Sequence, residues 1–243
     1  NREGTVQAAG NASLSVNGLD NHAGEIVAGD SLELDVQDEL DNSQGQLLAD
    51  AIHLTAGTLV NREGLVSAAR DGLSIDSTAL DNTQGQMEAV GNVVLTVEGA
   101  LANLRGSIMQ LGAGELQLSS ASLANTNGFV AANGDLALQA GSVANRGGTL
   151  QAAGDAYVNA ASLDNRQGEL LSGGALGVTV EGQVDNAQGQ LLAQRSFDLQ
   201  AASLTNTQGA IGTVEDDLTL TLGGTLDNAN GSLEAGDELH IRG

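Results

Sequence analysis

The chain of 243 residues contains no cysteine, no proline, no tryptophan and no lysine. Without cysteine it can have no disulfide framework, no thiol nucleophile and no thiolate zinc site. The lack of proline is compatible with uninterrupted strand pairing, because proline has no amide N–H to give to a sheet. The aromatic residues are only Tyr157, Phe129 and Phe197. Sugar-binding surfaces usually offer aromatic platforms, and this composition leaves little to stack a sugar on.

Positive charge is also scarce, since eight arginines face 31 acidic residues and the net charge is −23. Such a chain would be repelled by duplex nucleic acid and by anionic lipid, so we expect neither as a partner. No apolar run approaches the roughly 18 residues that span a bilayer, so we expect no membrane insertion by this segment. We interpret the acidity as a solvated, self-repelling coat that discourages side-by-side pairing of strands. Cation capture is the alternative.

What the chain does have is glycine, with 34 residues, and an internal repeat built on Asn-x-x-Gly. Twelve copies follow one another at spacings of 19 to 22 residues. The asparagines are Asn1, Asn21, Asn42, Asn61, Asn82, Asn103, Asn125, Asn145, Asn165, Asn186, Asn206 and Asn228. The glycines are Gly4, Gly24, Gly45, Gly64, Gly85, Gly106, Gly128, Gly148, Gly168, Gly189, Gly209 and Gly231. A period of this kind indicates one supersecondary unit stacked on itself.

Aliphatic residues keep a fixed place in each copy, two residues before the asparagine and five after it. Seven residues after the asparagine, nine copies have alanine. A small polar turn follows and leads to an alternating segment such as Leu32-Glu33-Leu34. Apolar side chains at i and i+2 have the period of a strand, and no helical period runs over a useful length. The three copies without the alanine have Gln110, Ser172 and Thr213 in its place.

These patterns predict an all-β fold, a right-handed parallel β-helix of about twelve rungs with 19 to 22 residues each. One repeat buries too few aliphatic side chains to offset the entropy of ordering its backbone, so successive repeats must lie on one another. Right-handedness is expected because parallel β-crossovers are nearly always right-handed. We expect residues 1–243 to form one β-helical segment, a piece of a longer rod.

The repeated asparagine and glycine have a mechanical interpretation. An asparagine at the same corner of every rung would stack on its counterparts and bond to the amides above and below. We therefore predict a structural ladder from Asn21 to Asn228. The corner glycines, Gly24 to Gly231, are expected to supply a positive φ at a sharp turn. The competing interpretation of the asparagines is a row that binds a ligand.

Six copies have aspartate directly before the asparagine: Asp20, Asp41, Asp81, Asp164, Asp185 and Asp227. On adjacent rungs their carboxylates should lie about 5 Å apart. We interpret them as turn residues that bond to their own backbone. A weak cation site and an acid/base pair are the alternatives.

The remaining charged candidates also have a plain interpretation. Arginine directly follows the asparagine in four copies, at Arg2, Arg62, Arg146 and Arg166, and His22 follows it in a fifth. We interpret these as scattered solvent-facing side chains rather than as an anion-binding stripe. His53 and His240 occupy outward positions of alternating strands, too far apart to share a metal. The acidic run Glu215-Asp216-Asp217 is predicted to be a charged turn, with a local calcium site as the alternative.

No catalytic, cofactor-binding or metal-binding residue is predicted. The Gly-Gly-x-Gly-x-Asp runs of calcium-binding coils are missing, and no serine lies in a nucleophile-elbow context. Pectin-cleaving β-helices carry massed acidic and basic residues with long loops around a groove, whereas the turns here vary by only a residue or two. A polysaccharide-acting enzyme is therefore a remote alternative.

The repeat, seen for example from Leu40 to Ala49, resembles the filamentous haemagglutinin repeat of large exoproteins in two-partner secretion systems. The resemblance covers essentially the whole chain. It implies a right-handed β-helical shaft that an outer-membrane transporter exports and that is displayed at the bacterial cell surface or secreted. It supplies no catalytic residues and no cofactor.

The resemblance also implies a function, the structural shaft of an adhesin or of a contact-dependent growth inhibition effector. Such a shaft extends a receptor-binding or toxin module from the cell, and other regions would contact a host or neighbouring-cell receptor. The alternative is that this segment is itself an adhesive, receptor-binding surface.

Overall fold

The computed structural model describes all residues from 1 to 243 and contains strands, turns and bends but no helix. It accordingly has no helix that could cross a membrane. Each rung runs from one repeat asparagine to the next and contributes one short strand and one long strand. The long strand is split in two in the first and eleventh rungs, and the twelfth rung has only the short β26 in its place. This is the β-solenoid of about twelve turns that the period predicts.

The short strands are β1 Thr5–Ala8, β4 Glu25–Ala28, β6 Gln46–Ala49, β8 Leu65–Ala68, β10 Gln86–Ala89, β12 Ser107–Gln110, β14 Phe129–Ala132, β16 Thr149–Ala152, β18 Glu169–Ser172, β20 Gln190–Ala193, β22 Ala210–Thr213 and β25 Ser232–Glu234. The others are β2 Ala12–Val16, β3 Leu19–Asp20, β5 Ser31–Asp41, β7 Ala51–Val60, β9 Leu73–Asp81, β11 Val93–Ala102, β13 Leu116–Ala124, β15 Leu136–Ala144, β17 Ala156–Asp164, β19 Leu176–Asp185, β21 Phe197–Thr205, β23 Leu218–Leu222, β24 Leu226–Asp227 and β26 Leu239–Arg242.

These strands form two parallel sheets that run the length of the molecule. The short strands make a 12-stranded sheet in the order of the rungs, and the long strands make a 14-stranded sheet in the same order. Every strand therefore pairs with the equivalent strands of the rungs before and after it. The register keeps equivalent residues together, so that Ile108 lies beside Met87 on one side and Val130 on the other.

Each long strand bends once, and the alternation of its side chains shows where. In β5, Leu32, Leu34 and Val36 point inward at spacings of two, but the next inward side chain is Leu40, four residues later. The register with β7 shifts between Val36 and Glu39. The long strand thus covers two sides of the column, and the short strand covers another.

The core is a continuous apolar column made by aliphatic side chains from every rung. The aliphatics two residues before the asparagine lie inside, as predicted, and are fully buried from Leu40 to Leu204. The phase of the repeat therefore determines which side chains point inward, since alternate residues of a strand face opposite sides.

The variation in repeat length falls partly at the predicted turn and partly at the bend. The turn before the long strand has two residues after Ala28 but five after Gln110. At the bend, Val97 and Leu101 are four residues apart where Ser120 and Leu123 are three apart. The sequence pattern predicts the turn but not the bend, because the alternation on both sides of the bend has the same period.

Candidate functional site

Each repeat asparagine opens a tight turn that carries the chain from the long strand to the next short strand. The N–H of the glycine donates to the carbonyl of the asparagine three residues earlier, at 3.0 Å between Gly45 and Asn42. The N–H of the asparagine donates to the following rung, as from Asn103 to the Ala124 carbonyl at 2.7 Å. The backbone around the asparagine is thus held both within the turn and between rungs.

The positive φ of this turn does not belong to the repeat glycine, which corrects the expectation from the sequence. It belongs to the residue before the glycine, with φ between 52° and 60°. These residues are Glu3, Ala23, Gln44, Glu63, Gln84, Arg105, Asn127, Gly147, Gln167, Gln188, Gln208 and Asn230. A signal was available in the sequence, because none of the twelve is β-branched and β-branched residues are the least tolerant of positive φ.

The glycine is required for space. A Cβ placed on Gly85 would lie 2.5 Å from Oδ1 of Asn82 and closer still to the carbonyl oxygen of Asn61 in the preceding rung. No side chain can approach backbone oxygen so closely. The corner glycines therefore allow the asparagine side chain and the neighbouring rung to come near the turn.

The asparagine side chains form an unbroken hydrogen-bonded ladder. Nδ2 of each asparagine donates to Oδ1 of the next at 2.7 or 2.8 Å, through eleven steps from Asn1 to Asn228. The other hydrogen of the amide faces two carbonyls. From Asn103 these are the carbonyls of Gly106 at 3.2 Å and of Phe129 in the next rung at 3.3 Å.

The ladder is inside the protein. The asparagines from Asn21 to Asn206 have no exposed surface, and both amide hydrogens of each are engaged. A dissolved ligand has no access to such groups, so the geometry supports the structural interpretation over the ligand-binding row.

All six aspartates before the ladder are Asx-type turn residues, as we interpreted them. In each, Oδ1 accepts from the backbone N–H two residues later, at distances of 2.9 to 3.3 Å. The adjacent pairs are also in register, with Asp20 beside Asp41 and Asp164 beside Asp185. One carboxylate oxygen of each is thereby committed to the turn.

The arginines that follow the asparagine pair with these carboxylates across rungs. Arg166 lies between two of them, with Nη2 at 2.9 Å from Asp164 and Nε at 3.5 Å from Asp185. Arg146 also bonds to Asp164. Arg2 and Arg62 pair with Asp20 and Asp81, at 2.7 and 2.6 Å. Surface ion pairs of this kind contribute about 0–1 kcal/mol each.

These contacts lower the pKa values of the carboxyl groups. Burial acts to raise the pKa of Asp164, but hydrogen bonds from Arg166 and Arg146 outweigh it and hold that pKa below its usual value. Asp81 behaves in the same way, with burial opposed by Thr83 and Arg62, and its pKa is also lowered. A general acid at neutral pH needs a raised pKa, so these shifts are opposite to those of a catalytic acid.

The three copies that lack the inward alanine use their polar side chain to hold a turn, either their own or one in a neighbouring rung. Gln110 Nε2 donates to the carbonyls of Val90 and Gly91, both at 3.1 Å, and its Oε1 accepts from the N–H groups of Asn133 and Gly134, both at 3.2 Å. Ser172 and Thr213 make similar bonds to turns. The sequence shows these exceptions but not the partners of Gln110, which lie in the rungs before and after it.

The remaining candidates stand apart from one another. His53 is exposed on its strand, and Nε2 of His240 lies 3.1 Å from a carboxylate oxygen of Glu238. The acidic run is a turn in which the Thr213 hydroxyl donates to the Asp216 carbonyl at 2.6 Å. No three histidine or acidic side chains converge as they would around one metal ion.

A surface depression lies on the outside of the long-strand sheet. We call it the outer groove, a depression of about 460 Å³ lined by residues of β11, β13, β15, β17 and β19. Tyr157 stands in it with 54% of its surface exposed. Sequence reasoning missed this site, since it treated the few aromatic residues as a class without separating outward from inward positions.

Stacked rungs, two continuous parallel sheets and an internal amide ladder define this molecule as a parallel β-solenoid. The family model described as the haemagglutinin repeat matches residues 1–44, 43–104, 111–186 and 178–230. The chain therefore belongs to the haemagglutinin repeat family, which confirms the resemblance of its sequence. No curated protein and no solved structure matched the chain in the corresponding comparisons.

Proposed function

We propose that this segment is the structural shaft of a large secreted surface protein of the filamentous haemagglutinin type. The observation that carries the proposal is the continuity of the column, in which the ladder and both sheets pass through every rung without interruption. A rod in which each rung rests on the previous one provides length and stiffness. Family membership supports the same role, because such repeats are typical of secreted, surface-associated proteins.

We also propose that the parent protein is exported by the outer-membrane transporter of a two-partner system. In that role the shaft would extend a receptor-binding or toxin module toward a host or neighbouring cell, for adhesion or contact-dependent growth inhibition. The absence of cysteine and the local winding of the chain support this route, because a rung can form on its neighbour as the chain emerges.

We propose no enzymatic role for the segment. The turn aspartates each have one oxygen engaged by backbone, and the shifted carboxyl pKa values are lowered rather than raised. One observation favours a second candidate function, a segment that is itself adhesive. That observation is the outer groove with its exposed Tyr157.

A pair of deletions of equal length tests the shaft. Removing residues 42–81 or residues 125–164 from the parent protein takes out two whole rungs and leaves the ladder in phase. A spacer loses about 10 Å of reach in either case, since strands are spaced at about 4.8 Å. We expect equal small losses of cell-to-cell delivery or adhesion from the two deletions.

An unequal result would identify a local site. The second deletion removes β15 and β17 from the outer groove, whereas the first leaves the groove intact. If only the second deletion abolishes adhesion, the segment acts as a binding surface and the shaft is not its main role. A deletion of residues 82–92, half a rung, is the control that should prevent folding.

A further inference from the structure

The lining of the outer groove contains no charged side chain, although the molecule carries a net charge of −23. Two outward-facing rows of side chains form its floor. Each of five successive strands contributes one residue to each row. The first row is Val94, Gln117, Ala137, Tyr157 and Gly177, and the second is Thr96, Ser119, Gln139, Asn159 and Thr179. In other rungs the same rows contain Glu33, Asp35, Asp76 and Asp198.

The floor is rich in groups that both donate and accept hydrogen bonds. The amides of Gln139 and Asn159 lie on consecutive strands, spaced at about 4.8 Å, and point outward. The amide of Gln117, one strand earlier in the neighbouring row, donates to the Glu115 carboxylate at 2.9 Å. Hydroxyls of Thr96, Ser119 and Thr179 lie in the same rows. These groups run parallel to the long axis of the solenoid, so an extended ligand lying along that axis would meet an amide or hydroxyl at every rung.

Tyr157 adds an aromatic face to this floor. A Cβ on Gly177, the neighbour of Tyr157 in the next rung, would lie 2.8 Å from ring atom Cδ1. The glycine therefore gives the ring room to lie against the sheet. The ring leaves more than half of the tyrosine surface in solvent.

We propose that the outer groove binds an uncharged glycan chain along the axis of the solenoid, with Tyr157 stacking on one sugar ring. Sugar hydroxyls donate and accept, as do the amides beneath them, and the apolar face of a sugar ring matches an aromatic ring. A polyanionic glycan is repelled by the net charge. A cationic ligand would be held better elsewhere, because acidic side chains cover the neighbouring rungs.

Two other occupants fit less well. An extended peptide adds to the edge of a sheet, and the groove is a sheet face whose backbone groups already pair between rungs. A second copy of the chain would need about 800 Å² of contact on each partner. The uncharged floor measures about 20 by 10 Å, roughly 200 Å², if five strands are spaced as usual.

The chain offers a direct assay, since Tyr157 is its only tyrosine and it has no tryptophan. Purified protein is titrated with cellohexaose, laminarihexaose, mannohexaose and chitohexaose, and with oligogalacturonate as the charged comparison. We expect a saturable change of tyrosine fluorescence with at least one neutral hexasaccharide and none with oligogalacturonate. Because no charge is involved, the affinity should not change with salt concentration.

Variants locate the site by ligand-observed NMR and calorimetry, which do not depend on the fluorophore. Tyr157→Ala should weaken binding about 10-fold, and Tyr157→Phe should retain it within about 3-fold because the stacking face remains. Gln139→Glu should also weaken it, through loss of an amide donor. Phe129→Ala is the matched control, since Phe129 is an exposed aromatic on the other sheet, and it should bind like the wild type.

Three results would overturn the proposal. They are no saturation by any neutral hexasaccharide at millimolar concentration, unchanged affinity of folded Tyr157→Ala, and a dimer of the wild type that Tyr157→Ala dissolves. The last would assign the groove to a second copy. This proposal does not rest on the shaft, whose deletion test remains valid if no glycan binds.

Discussion

At the scale of the residue, the side chain of each buried asparagine makes several hydrogen bonds. Asn103 accepts from Asn82 at 2.8 Å and donates to Asn125 at 2.7 Å, and it also faces two carbonyls. A buried amide is stabilising only when all its groups are paired, because each unpaired group costs about 1–3 kcal/mol. The ladder thus makes every rung dependent on its two neighbours.

Asn103→Leu should therefore be strongly destabilising. The substitution leaves the Nδ2 of Asn82 and the Oδ1 of Asn125 without ladder partners, at a cost on the order of 2–4 kcal/mol. Chemical denaturation measures it as a lower midpoint. Asn159→Leu is the matched control, because the same change at an exposed position should cost under about 0.5 kcal/mol. Equal costs would mean that the ladder does not stabilise the fold.

Two adjacent residues of one turn should respond in opposite ways to a change between glycine and a side chain. Gln84 has φ of 57°, so Gln84→Gly relieves backbone strain and should raise stability by about 0.5–1 kcal/mol. Gly85→Ala places a Cβ against Asn82 and Asn61 and should cost several times as much. Thermal melts of the two variants check this, and destabilisation by both would argue that positive φ is not strained here.

At the scale of the element, the turns before the long strands are held by different devices in different rungs. Gln110 pairs with four backbone groups of the turns above and below its own rung. Gln110→Ala restores the residue that most repeats have, yet here it should cost about 1–3 kcal/mol because the turn groups lose their partners. Gln117→Ala, an exposed glutamine on the next strand, is the control. Native-state hydrogen exchange should show faster exchange at Gly134 in Gln110→Ala and not in Gln117→Ala, whereas the Asn133 N–H keeps its bond to the backbone carbonyl of residue 110.

The ion pairs between rungs predict a dependence on pH. The pKa of Asp164 is lowered in the folded protein, so its contribution to stability is present above the ordinary pKa of 3.8 and is lost as the pH falls through the lowered value. We expect Asp164→Asn to melt below the wild type at pH 7 and to melt like it in strong acid. A difference that persists in acid would assign the effect to packing or to the Asx turn. High salt should also reduce the difference, because the pairs are largely exposed.

Inspection of the sequence predicts the strands and the ladder well, and it fails where a contact crosses rungs. The asparagine, glycine and aliphatic positions recur in every copy, so their common surroundings could be inferred from repetition alone. The positive φ at Gln84 and its counterparts was missed because many residue types occupy that position. The bonds of Gln110 and the setting of Tyr157 occur once each, and a unique contact leaves no repeated signal in one sequence.

At the scale of the whole molecule, strand pairing and ladder bonds join only neighbouring rungs, which implies that stability grows with length. Each added rung contributes its own ladder bonds and one interface, whereas the first rungs must be ordered without a complete neighbour. We expect residues 61–124, three rungs, to be unfolded, and residues 61–185, six rungs, to fold with a lower denaturation midpoint than the full chain. Circular dichroism of the purified fragments measures this. Equal midpoints for six rungs and twelve would contradict the nearest-neighbour account.

The asparagine ladder also gives the column a polarity. Every side-chain amide donates toward the rung that follows in sequence. In a chain that folds from its N-terminus, the last completed rung therefore has an unpaired side-chain N–H. The asparagine of the next rung supplies the oxygen that accepts from it. Growth in the opposite sense would begin from a bare acceptor oxygen instead. Head-to-tail alignment of these dipoles strengthens each bond as the next is made. A chain delivered end-first would thus add one rung after another in a single direction.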